Sequence, residues 1–69
     1  MTSSKFGQNG LKQIRENRLL SKTELARLAG VSSLTIDRIE RGHGCRLATK
    51  RKIVLALGYS LAEKDEIFP

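Results

Sequence analysis

Apolar residues recur along this chain at spacings of three and four, the period of a helix that turns one face to a core. Leu11, Ile14 and, with a small phase drift, Leu19 mark a first helix through LKQIRENRL, broken at Leu20-Ser21. Ser21 with Glu24 has the form of a capping box, in which the hydroxyl accepts from a first-turn amide while the carboxylate reaches back. A second helix is therefore predicted from Lys22, carrying Leu25, Ala26, Leu28 and Ala29 to Gly30, a residue that tolerates the positive φ common at helix ends. Ser32 is a good N-cap for a third helix with Ile36 and Ile39 on one side and its end at Gly42. A fourth helix is predicted from about Ala48 or Thr49 to Leu57, inward on Ile53, Ala56 and Leu57 and closed by Gly58. Ser60 with Glu63 repeats the capping-box spacing and opens a short fifth helix that ends before Pro69. No segment alternates with period two, and no repeat or low-complexity tract stands out, so the fold class is all-α, a bundle of five short helices.

The first ten residues, MTSSKFGQNG, lack this period and read as a flexible N-terminal arm at 1-10, which places the folded domain at 11-69. At 69 residues the chain is short for a catalytic domain with a buried pocket. Its lone His43, lone Cys45 and scattered acids give no obvious base, nucleophile and orienter in contact, so it reads as a non-enzyme without a cofactor. His43-Gly44-Cys45 offers two potential metal ligands where a structural zinc site wants four, so no metal is expected. A single cysteine excludes an intrachain disulfide and fits a reducing cytoplasm. The longest aliphatic run, Ile53 to Leu57, falls far short of the roughly 20 residues that span a bilayer. The N-terminus has no signal-like apolar stretch either, and a cytoplasmic protein that is neither inserted nor exported is expected.

Charge narrows the partner. Thirteen Lys and Arg against seven Asp and Glu leave a net charge of +6, which favours a polyanion, nucleic acid or a lipid surface. Two helices joined by a tight glycine turn cross steeply, so the second can project while the first braces it. At about 100° per residue with Ile36 inward, Ile39 and Glu40 lie near the interior and Leu34, Arg38 and Arg41 lie opposite, with Ser32 and Ser33 at the forward tip. Such a stripe suits base edges: Arg38 can fork onto guanine, Leu34 can pack on a thymine methyl, and the serines can donate or accept. From the pattern alone, an ordinary solvated face with one exposed leucine fits equally well.

The stretches LKQIR, LSKTELARLAGVSSLTIDRIERG and RKIVLALGYSL resemble the Cro/repressor-type helix-turn-helix family, often called the XRE family, over residues 11 to 61. Its helix-turn-helix unit would be Lys22 to Arg41, with Ala26 at the crossing, Gly30 in the turn, and Ile36 and Ile39 locking the third helix to the body. The resemblance implies a five-helix lambda-repressor-like DNA-binding bundle with the helix-turn-helix at helices two and three. It implies base reading by Ser32, Ser33, Leu34 and Arg38, and phosphate contacts by Lys22, Arg41, His43 and Arg46. It also implies a partly buried ion pair between Arg15 and Glu40. Two features depart from the family pattern: Lys22 stands where Gln is typical, and the HGCRLA loop lacks a proline often found there.

The expected partner is a double-stranded DNA operator read by a transcriptional regulator, a repressor, acting as a homodimer on half-sites about one helical turn apart. The length leaves no room for a ligand-sensing domain. The alternative is an antitoxin-like protein-binding module whose Ile67-Phe68 end holds a toxin, although those side chains more often pack back on helix one. Lys50, Arg51 and Lys52 suit phosphate or a plain solvated face about equally, and Asp37 is expected to pair with Arg41 rather than read cytosine. Lys5 in the arm suits a minor groove, though disorder is the stronger expectation. RNA ranks third, because Phe6, Tyr59 and Phe68 are the only aromatics for base stacking.

Overall fold

Ser21 Oγ accepts from the Glu24 amide at 3.0 Å while Glu24 Oε1 accepts from the Ser21 amide at 2.8 Å, so the second helix begins where its capping box is complete. The computed structural model describes residues 9–69. The arm reading for residues 1–8, including Lys5, lies outside the described residues. The helices are α1 (Leu11–Asn17), α2 (Lys22–Ala29), α3 (Ser33–Glu40) and α4 (Leu47–Ala56), followed by a 3-10 helix (Leu61–Glu66). The fold is an all-α bundle, and no strand occurs among the described residues. Among the described residues ten form the core: Leu11 from α1, Leu25, Ala26 and Ala29 from α2, Ile36 and Ile39 from α3, Ile53, Val54 and Leu57 from α4 and its cap, and Ile67. Helix α2 lies at the centre of the packing, touching both α3 and α4, while α1 lies on α3 and the 3-10 helix lies on α4.

Several positions differ from the pattern reading. Helix α1 stops at Asn17, and Leu19 takes a left-handed φ of 57° and is 90% exposed rather than continuing the apolar stripe. That turn lets the next residue do the packing: Leu20 is half-buried on the core, and its carbonyl accepts from Arg15. Leu28 is 61% exposed, since Leu25, Ala26 and Ala29 already fill the inward stripe of α2. Helix α4 starts at Leu47, and Val54 replaces Ala56 among its fully buried residues. The chain end is split. Ile67 is fully buried and its carbonyl accepts from the Gly10 amide at 2.9 Å, at the foot of α1, whereas Phe68 is half-buried in a groove beside α4.

Asn9 and Gly10 also belong to the packed body. Asn9 Oδ1 accepts from the Leu11 amide and its Nδ2 donates to the Ile39 carbonyl at 2.9 Å, so one amide side chain starts α1 and holds the end of α3. A Cβ on Gly10 would sit 3.1 Å from the Glu66 carbonyl oxygen, a tight contact that a larger residue would make only with a small shift of the chain end.

Candidate nucleic-acid interface

Three residues, Gly30, Val31 and Ser32, separate α2 from α3. Gly30 has φ 74° in the left-handed region, and the Val31 amide donates back to the Ala26 carbonyl at 3.0 Å, which ends α2 and turns the chain. Ser32, in extended backbone, then opens α3: its Oγ accepts from the Thr35 amide at 3.1 Å and lies 2.9 Å from Thr35 Oγ1. Ile36 and Ile39 fix the inner side of α3 in the core, so the side opposite them faces away from the body. Ser33, Leu34 and Arg38 are exposed there, Leu34 at 55%. Ser32 is exposed too, but its hydroxyl is occupied by the cap, leaving Ser33, Leu34 and Arg38 as the open functional groups of the stripe.

The four residues assigned to phosphate lie on different elements. Lys22 is the first residue of α2, Arg41 caps the C-terminal end of α3, His43 follows in the loop, and Arg46 is the N-cap of α4. Arg41, His43 and Arg46 are exposed, and the His43 amide donates to the Arg38 carbonyl at 3.0 Å, tying the loop to the helix. Lys22 is different: its ammonium is bonded to Asp37 Oδ1, while Arg41 Nε lies 3.0 Å from Asp37 Oδ2. The Asp37–Arg41 pair follows from sequence spacing, but the Lys22 link joins residues fifteen apart on two helices and had no local signal. The hydrogen bond from Lys22, with the Arg41 charge behind it, holds the Asp37 carboxyl below the usual carboxylate range.

Behind the stripe, Arg15 braces α3 from α1. Its Nε donates to Glu40 Oε2 at 2.7 Å, its Nη2 to Oε1 at 3.2 Å, and its Nη1 to the Leu20 carbonyl at 2.7 Å. The bond to Glu40 raises the Arg15 pKa against the opposing effect of burial. Among the described residues no buried polar side-chain atom is left without a partner.

The remaining candidates fall elsewhere. Lys50, Arg51 and Lys52 begin three residues into α4 rather than opening it, which moves them beyond the positive end of the helix dipole, and Lys50 sits 5.7 Å from the centre of the Phe68 ring. Cys45 is half-buried and burial pushes its thiol pKa up. No group of three ligating side chains occurs among the described residues. Sequence reasoning missed Asn9, whose only signal was an amide residue two positions ahead of Leu11, and the stacking of Arg18 on Tyr59 at 5.2 Å.

A capped helix, a left-handed glycine and a second capped helix with an outward polar stripe define a helix-turn-helix unit. The family model described as helix-turn-helix matches residues 11–64, so the chain belongs to this Cro/XRE-type family of DNA-binding transcription regulators, a regulatory rather than a catalytic class. No curated protein and no solved structure matches the chain. No helix among the described residues is long and apolar enough to cross a membrane.

Proposed function

We propose that this chain is a sequence-specific double-stranded DNA-binding repressor that lays α3 in the major groove. Ser33, Leu34 and Arg38 read base edges, with Ser32 placing the tip of the helix; Lys22, Arg41, His43 and Arg46 hold the flanking phosphates. The observation that carries this reading is the exposed Leu34 beside Arg38 on a helix whose opposite side is anchored by Ile36 and Ile39. The net charge of +6 supports the same partner. As a homodimer, two such helices would meet half-sites about one turn of DNA apart.

Selection of bound duplexes from a random pool, followed by anisotropy titration, tests it. The selected sites should be two-fold symmetric, and Arg38→Ala should weaken binding to them alone. Equal affinity for every duplex, with Arg38→Ala changing nothing, would defeat the base-reading claim.

A groove of about 200 Å³ favours a second reading as an antitoxin-like module. Leu47, Val54, Leu61 and Phe68 give it an apolar lining, with Lys50 and Arg51 at its edge. Ile67 is core, so a variant that tests this reading leaves the chain end in place. Co-expression with the product of the adjacent gene is the test: a complex lost in Leu47→Ser/Leu61→Ser, with DNA binding retained, supports this second reading.

A further inference from the structure

Asp37 stands between two of the cations assigned above to phosphate. One carboxylate oxygen accepts from Lys22 at the start of α2, and the other lies 3.0 Å from Arg41 Nε at the end of α3. Both oxygens are therefore filled, each by a cation from a different part of the helix-turn-helix, as the anionic oxygens of a bridging phosphate would be. The three groups are open to water: the Lys22 and Arg41 side chains are 41% and 70% exposed, and Asp37 24%. By angle Asp37 lies on the flank of α3, next to the Leu34–Arg38 stripe rather than within it.

We propose that Asp37 is a specificity-determining residue, an internal stand-in for phosphate that holds Lys22 and Arg41 in the one arrangement a matching duplex accepts and withholds them from phosphates in other registers. This rests on the DNA-binding reading above. Sequence-independent affinity is set by how many phosphates are neutralised, each adding about 0.9 to the slope of log affinity against log salt. A carboxylate between two cations subtracts about one unit of charge from that patch. It also fixes two long, otherwise mobile side chains in one arrangement. Free, each would follow a phosphate in any register; held, they suit the one register in which base contacts by Ser33, Leu34 and Arg38 place the phosphates correctly. The loss therefore falls mainly on unmatched DNA. On the matched site the ordering supplied in advance offsets the charge removed.

The test uses the full chain, a duplex obtained by selection and an unrelated duplex of equal length, titrated by anisotropy across a salt series. Asp37→Asn should raise affinity for the unrelated duplex about tenfold at low salt and steepen its salt slope by about one, while affinity for the selected duplex moves less than about threefold. Asp37→Ser, checked for helix content by circular dichroism, should do the same. In a Lys22→Ala/Arg41→Ala background, Asp37→Asn should leave the unrelated duplex within about twofold, because the cations it frees are gone. An unchanged ratio between the two duplexes overturns the proposal, and so does a gain that survives in that background, since Asp37 would then act through net charge alone. Wild-type chain that prefers no selected duplex would instead defeat the DNA-binding reading itself, before any variant is made.

Discussion

Arg15 and Glu40 are twenty-five residues apart in the chain and 2.7 Å apart in the fold, with side chains only 8% and 4% exposed. The pair joins the first helix to the last turn of α3, so it sets how α3 is held as well as how firmly. Breaking a buried pair leaves one charge uncompensated, which costs about 3–5 kcal/mol. Arg15→Ala and Glu40→Ala should each lower the free energy of urea unfolding by about that amount. Replacing both at once, as Arg15→Met/Glu40→Leu, should recover most of it. A loss below about 1 kcal/mol for each single variant would place the pair among ordinary surface bridges.

Two left-handed backbone positions should respond in opposite directions to the same physics. Gly30 has φ 74° with open space around it, so Gly30→Ala meets no clash and costs only the backbone strain, about 1–2 kcal/mol. Leu19 already bears that strain at φ 57° and is exposed, so Leu19→Gly should be neutral to stabilising by about 0.5 kcal/mol after the added chain entropy. Thermal unfolding reads both; a Leu19→Gly variant that melts several degrees lower would contradict the account.

Acid should destabilise the fold through carboxylates that are bonded while ionised. The Ser21 amide holds the Glu24 carboxyl below its ordinary range, the Ser60 amide does so for Glu63, and the Lys22 hydrogen bond does so for Asp37. A carboxylate with a depressed native pKa contributes stability above its unfolded pKa of roughly 4, and that contribution disappears as pH falls through the native value. Melting temperature should therefore be flat near neutrality and fall below about pH 4. In Glu24→Gln the fall should be shallower, because one of the linked protons is gone.

Arg38 and Arg46 are both exposed arginines and should fail in different ways. Losing a bidentate base contact costs about 1–3 kcal/mol on the matched site and little elsewhere, which is the expectation for Arg38→Ala. Losing a phosphate contact weakens all duplexes alike and reduces the salt slope by about one, the expectation for Arg46→Ala. Titration of both variants on matched and unrelated DNA at several salt concentrations distinguishes them. Identical profiles for the two would remove the division between base and phosphate residues.

The elements were legible wherever one local rule governed them. Ser21 with Glu24, Ser32 and Gly30 placed both boundaries of α2 and the start of α3, because caps and left-handed turns involve residues within one helical turn of each other. The inward pair Ile36 and Ile39 was legible for the same reason, and it fixed Leu34 and Arg38 on the outside. Leu28 misled because apolar spacing cannot tell a buried position from an exposed one once the inward stripe is full, and Leu19 because α1 ends before it in a left-handed turn.

Local periodicity and capping thus determined the helices, the turn between α2 and α3, and the outward stripe, all of which depend on contacts a few residues long. Tertiary structure alone decided the rest. It brought Lys22 to Asp37, clipped Asn9 to the end of α3, and buried Ile67 under Gly10 while leaving Phe68 half-buried beside α4. Each of these joins distant parts of the chain. Which of many polar or apolar residues meet is fixed only when the helices choose their crossing angles and the whole core packs at once.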